Sequence, residues 1–234
     1  MTVPAAPASA LRTVARFNVD EVILDLRSLQ PRDKTDFTRL AIVDALSKGT
    51  WQAGTVAVQI NPRGTRWFEE DLIQLVMLVR SGIACLVVPA EETEDIIAAS
   101  QLLNEMEAQF PVETPIGLEA RIETPRGVRH AEQIATVSPR LEALIFDSVT
   151  YARAVDSAVA GSASEVTGEQ REQARSRVSA AARAHGLTAI EGPESPDRAP
   201  DVVIRNAERS RAAGFSGTWA SAAWQLPLLR GVYR

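Results

Sequence analysis

Short runs that are apolar at odd and even positions alike alternate along this chain with amphipathic stretches, and that alternation leaves few folds open. The runs are "DEVILDL" (20–26), "TVAVQIN" (55–61), "ACLVVPA" (84–90), "IGLEARIE" (116–123), "EALIFDS" (142–148), "LTAIE" (187–191) and "SGTWAS" (216–221). Each is bounded by Gly, Pro or Asp, and apolar residues on both parities are expected of strands buried on both faces. The intervening segments read as helices. In "WFEEDLIQLVMLVRSG" (67–82) apolar residues recur every three or four positions, and "TGEQREQARSRVSAAARAHG" (167–186) has a capping-box spacing of Thr167 and Gln170 and a terminating Gly186. Strand-helix alternation implies a parallel sheet, because parallel neighbours need a crossover that is usually helical.

With a further strand at "TVP", the pattern fits one α/β domain over residues 1–234, a (β/α)8 TIM-type barrel. An open doubly wound sheet is the alternative, although no G-x-G-x-x-G follows any strand. "AVAGSASEV" and "EGPESPDRAPD" follow strands on the side where barrel enzymes place active-site loops, and also suit plain surface connections.

Composition narrows function mainly by exclusion. A net charge of -5 gives no general positive field for nucleic acid or anionic membranes. No apolar run reaches the roughly 20 residues of a membrane helix, and the opening "MTVPAAPASA" lacks the features of a secretory signal. Cys85 is the sole cysteine, so no internal disulfide forms, and a cytoplasmic location is expected. Its place at the start of an apolar strand fits core packing better than nucleophilic chemistry. His130 and His185 are the only histidines, which excludes a three-histidine metal site in one chain. Lys34 and Lys48 are the only lysines, and neither falls at a predicted strand end, which disfavours an imine mechanism. Trp219 and Trp224 are read as core or interface filling before pocket lining.

In a barrel, chemistry gathers at the carboxyl ends of strands, which here carry Asp25, Arg27, Gln59, Asn61, Glu123, Asp147 and Glu191. Side chains alternate along a strand, so Asp25 and Arg27 share a face, as do Gln59 and Asn61, and Glu119, Arg121 and Glu123. Carboxylates at one mouth suit a hard divalent cation. Alternatively, Arg27 and Arg121 neutralise them as ion pairs, and the residues alone favour this second reading.

The ordered set "EVILDL", "PRDK", "INP", "LVVP", "IETPRGV", "ARSRVSAAARAHG" and "AAGFSGTWA" resembles the citrate lyase beta-subunit-like group of the HpcH/HpaI aldolase family over essentially the whole chain. "VPAAPASAL" (3–11) is similar to the family's first strand exit. The resemblance implies a (β/α)8 barrel that makes or breaks a carbon-carbon bond in acyl-CoA thioesters or hydroxy-keto acids, with Mg2+ stabilising an enolate.

The resemblance also marks departures. Glu123 matches a metal ligand, but the second ligand position holds Thr150, leaving Asp147 as a substitute. The "D-L-E-D" pattern becomes Asp25-Leu26-Arg27-Ser28, the carbonyl-polarising arginine is Gln59, and Pro-Lys and His-Pro pairs are Pro89-Ala90 and Ala222-Ala223. Arg121 stands where the family is apolar. The candidate site is therefore Asp25, Arg27 and Gln59 as catalytic positions, Asn61, Arg121 and Glu191 as substrate contacts, and Glu123 with Asp147 as metal positions. Three readings follow: a diverged lyase with weakened or lost Mg2+ chemistry that binds a small anion or partner, an active Mg2+-dependent lyase on an acyl-CoA or keto acid, and an interaction module. Beside the family pattern the first strand is shortened and a C-terminal extension is missing, and the exposed strand edges that this comparison implies lead us to expect self-association into a homo-oligomer.

Overall fold

The computed structural model describes residues 2–4, 11, 13–27, 40–47, 50–78, 82–158 and 168–234. Lys34, Lys48, Thr167 with its proposed capping box, most of the segment 3–11 and the loop at 159–166 lie outside them. The chain forms two compact units. One comprises residues 1–88 and 97–118, the other 89–96 and 119–234.

The first unit is built on parallel strands in chain order: β1 (Thr2–Pro4), β2 (Glu21–Asp25), β3 (Thr55–Gln59) and the start of β4 (Cys85–Pro89). Their registers pair Val3 with Leu24, Asp25 with Gln59 and Gln59 with Val87. Val22, Ile23, Leu24, Ala57 and Val58 are completely buried whichever face they point to, the condition that favours all-apolar strands. Helix α1 (Trp67–Leu78) follows β3 and buries Phe68, Leu72, Leu75 and Val76 along one stripe. Cys85 is core, as expected.

The second unit continues with the end of β5 (Gly117–Ile122), then β6 (Leu141–Phe146), β7 (Thr188–Glu191) and β8 (Gly217–Thr218), of which β6/β7 and β7/β8 are parallel pairs. Helix α2 (Thr93–Gln109), which from Ile97 onward belongs to the first unit, precedes β5. Helices α3 (Pro125–Ile134), α4 (Ser148–Ala158), α5 (Gly168–Ala184), α6 (Pro200–Ala212) and α7 (Leu226–Val232) complete the unit. The α/β class with parallel pairing is thus as the alternation implied.

Local chemistry sets the element ends. Thr124 caps α3 by accepting from the Gly127 N–H at 3.1 Å, with Pro125 opening the helix. Gly127 must be small, since a Cβ there would lie 2.7 Å from the Ala90 carbonyl. Gly186 ends α5 at a φ of 70°, the left-handed conformation expected of a helix stop. The run at 216–221 yields only the two-residue strand β8. The Gln225 side-chain oxygen accepts from the backbone N–H groups of Ser221 and Ala222 at 2.8 and 3.2 Å, turning the chain into a short 3-10 helix. At Gly192, just past β7, a Cβ would approach the Asp147 Cα to 2.8 Å, so the ends of β6 and β7 meet backbone to backbone.

Candidate functional site

Each unit gathers its own share of the strand-end residues. In the first, Asp25 lies at the end of β2 beside its register partner Gln59. Its Oδ1 accepts from the Arg27 backbone N–H at 2.8 Å and from Gln59 Nε2 at 3.2 Å, and Arg27 Nε stands 3.6 Å away. Gln59 is fully buried, whereas the Asp25 and Arg27 side chains keep about a fifth of their surface in solvent. Asn61 is drawn instead toward Asp71 of α1. Its backbone N–H and its Nδ2 both donate to Asp71 Oδ2, at 3.0 and 2.7 Å, and both residues are buried. Asp71 thereby fixes the backbone just past β3. It sits three residues after Phe68 and four before Leu75, on the apolar stripe of α1, and that phase was the available sign that it points inward.

The second unit holds a denser arrangement. Glu119 and Arg121 are charged residues on β5, every position of which is buried. The Arg121 guanidinium reaches two carboxylates: Nε lies 3.1 Å from Glu123 Oε2, and Nη2 donates to Asp147 Oδ2. Its carbon stands 5.4 Å from the centre of the Trp219 ring, a cation-π distance.

Asp147 also caps α4. Its Oδ1 accepts from the Val149 and Thr150 N–H groups at 3.1 and 2.9 Å, and its Oδ2 from the Thr150 hydroxyl at 2.8 Å. Burial alone would raise this carboxyl, but Arg121 and the Thr150 bonds outweigh it and hold Asp147 below the usual carboxylate range. Thr150 is therefore a donor to Asp147.

Glu191, at the end of β7, is engaged elsewhere. Arg175 of α5 donates to both its oxygens, from Nε at 2.8 Å and Nη2 at 3.3 Å, and the Ser210 hydroxyl donates at 3.1 Å. Burial pushes the Glu191 carboxyl up against the pull of Arg175 and of the Ser148 and Ser210 hydroxyls. Burial likewise opposes the charge on Arg175, but Glu191 and Glu172 more than compensate and hold the guanidinium firmly protonated. Sequence reasoning missed Arg175. It shares a helical face with the buried Val178 and Ala182, and a cation in that phase signals an internal partner.

Trp219 is buried, whereas Trp224 is partly exposed. A cavity of about 10 Å³, room for one water, is lined by Arg175, Glu191, Glu194, Thr218 and Trp219 among others. His130 places Nδ1 2.9 Å from the Glu91 carbonyl and is only half-buried.

Tyr233 yields a pH prediction. Burial pushes its phenol up to about 12, helped by Glu191 and opposed by the nearby Ser210, Arg175 and Arg211. A folded-state pKa above the reference value of 10.0 means a stability contribution present below pH 10 and lost as pH rises toward 12. Ultraviolet titration should reveal a phenolate component near the upper value that disappears in Tyr233→Phe. A Tyr233 titration at the ordinary value would contradict the burial.

Parallel strands joined by helices, with carboxylates and guanidinium groups at their carboxyl ends, define an α/β protein. Residues 1–223 match the HpcH/HpaI aldolase/citrate lyase family, and the chain belongs to it. Over 248 residues it is 25% identical to the L-malyl-CoA/beta-methylmalyl-CoA lyase of Cereibacter sphaeroides, covering 98% of this chain and 76% of that protein. It is 25% identical to the citrate lyase subunit beta of Haemophilus influenzae, covering 99% and 77%. Among solved structures, the citrate lyase beta subunit of M. tuberculosis complexed with oxaloacetate and magnesium has the same fold. Its TM-score is 0.77 at 22% identity, covering 100% of this chain and 95% of that one.

The second-unit cluster as it stands does not fit a magnesium ion. Magnesium needs near-octahedral oxygen ligation at about 2.0–2.1 Å. Here the Arg121 guanidinium contacts both carboxylates, and the Thr150 hydroxyl already donates to Asp147. Among the described residues no group of three or more His, Cys, Asp and Glu side chains converges as a metal site, and no helix is long and apolar enough to cross a membrane.

Proposed function

We propose that the protein is a single-domain (β/α)8-barrel member of the carbon-carbon lyase family whose metal-dependent activity is weakened or lost, and that it binds a small anionic metabolite or a protein partner. The observation that carries this reading is the seat of Arg121 between Glu123 and Asp147. A guanidinium supplies the charge that a cation would otherwise bring to such carboxylates. In this reading Asp25, Gln59 and Asn61 shape the first-unit strand ends, and the part-exposed Arg27 meets the ligand's carboxylate. Arg121 and Glu191 set the charge of the second-unit ends. The net charge of -5 and the single cysteine support reading it as a cytoplasmic protein that does not bind nucleic acid or membranes, and self-association belongs to the same proposal.

Calorimetric titration of the native chain with Mg2+ and Mn2+ is expected to give no saturable site, and malyl-CoA cleavage is expected to be independent of added metal. The competing reading is an active Mg2+-dependent lyase acting on an acyl-CoA thioester or a hydroxy-keto acid, with Glu123 and Asp147 as ligands. It is favoured by the presence of Glu123 and by the activity named for the Cereibacter relative. Mg2+-dependent turnover abolished by Glu123→Gln would establish it in place of the first.

A further inference from the structure

We infer that the Arg121 guanidinium is a built-in replacement for a divalent cation and is the group that bars one: removing that side chain alone should turn Glu123 and Asp147 into a divalent-cation site. The inference rests on the reading above and explains it through one residue.

Three observations support it. First, the two carboxylates touch the same small cation, Glu123 Oε2 at Nε and Asp147 Oδ2 at Nη2, so both already point at one volume. Second, that volume is enclosed: the side chain of Arg121 is 5% exposed, that of Asp147 3% and that of Glu123 17%, and the indole of Trp219 lies against the guanidinium. Two carboxylates turned toward one enclosed point repel each other unless a cation lies between them. Third, Asp147 is held by the backbone N–H groups of Val149 and Thr150, contacts that do not involve Arg121 and should survive its removal. Truncation of Arg121 would therefore leave two preplaced oxygen donors, a vacated volume that water can enter to complete a coordination shell, and an unmet demand for positive charge.

The test uses the full chain and Mn2+ alone, with free ion followed by electron paramagnetic resonance and heat by calorimetry. Wild type should show no saturable binding, Arg121→Ala should bind one Mn2+ at least roughly tenfold more tightly than wild type, and adding Glu123→Gln should abolish the gain. Melting temperature should rise with Mn2+ in Arg121→Ala and stay constant in wild type, since only a ligand held by the folded state stabilises it. Arg121→Gln, which keeps length and loses charge, serves as a second variant. If neither variant folds alone, Mn2+ is expected to restore a cooperative transition, and failure to do so overturns the inference. A metal-free wild type whose folded Arg121→Ala form is equally indifferent to Mn2+ overturns this inference and leaves the proposed function standing. Saturable Mn2+ binding by wild type through Glu123 overturns both.

Discussion

Replacing Arg175 with Met is expected to lower the unfolding free energy by about 3–5 kcal/mol, the cost of leaving a buried charge without its partner. The Arg175 side chain is 4% exposed and that of Glu191 7%, so little solvent remains to screen the pair. Without the guanidinium, Glu191 keeps the 3.1 Å bond from Ser210 but faces full desolvation in the charged form. It should take up a proton, and stability should then depend on pH through that group. Arg175→Met combined with Glu191→Leu is expected to recover much of the loss, because an apolar pair of similar volume often replaces a buried ion pair at little cost. A urea-denaturation cycle over the four proteins measures the coupling. A loss below about 1 kcal/mol for Arg175→Met, the range of solvent-exposed pairs, would show that the pair is not desolvated.

The second large effect is expected at Asp147, which both caps α4 and balances Arg121. Asp147→Ala removes both roles. Breaking a buried pair costs roughly 3–5 kcal/mol and losing a cap roughly 1 kcal/mol, but Glu123 remains 3.1 Å from Arg121 and keeps part of the compensation. A net loss of about 3–4 kcal/mol is the expected result. Asp147→Asn keeps an oxygen for the Val149 and Thr150 N–H groups but loses the charge and puts an amide donor where Oδ2 accepts from Arg121 and the Thr150 hydroxyl, so it should retain only the cap, about 1 kcal/mol relative to Ala. Equal losses in the two variants would mean that the cap contributes nothing. Helix content by circular dichroism separates local fraying of α4 from global destabilisation.

How much of this was legible in the sequence depended on whether the signal was local. The strands were visible as runs apolar on both parities, and β2, β3, β4 and β5 lie inside the stretches that the pattern marked. The face shared by Arg121 and Glu123 followed from alternation alone, and their 3.1 Å contact reflects it. The destination of Asp147 was less accessible. "FDS" marks a strand end, but whether an acid there turns to a ligand or back onto the next helix depends on where that helix starts. Asn61 and Glu191 were read as strand-end groups because their partners, Asp71 and Arg175, sit ten and sixteen positions away on helices whose inward faces follow only from careful phase reading. The shortness of β8 depends on a side-chain cap from Gln225, which no periodicity reports.

The contact at Gly192 has a practical consequence for mutagenesis. With main chain pressed against main chain beside Asp147, the peptide that carries this acid is braced independently of its own side chain. Trimming the carboxylate should subtract charge and hydrogen bonds without letting the turn wander. Phenotypes at position 147 can then be interpreted as chemistry, whereas even a methyl group at 192 would wedge the braced peptide away and scramble that distinction.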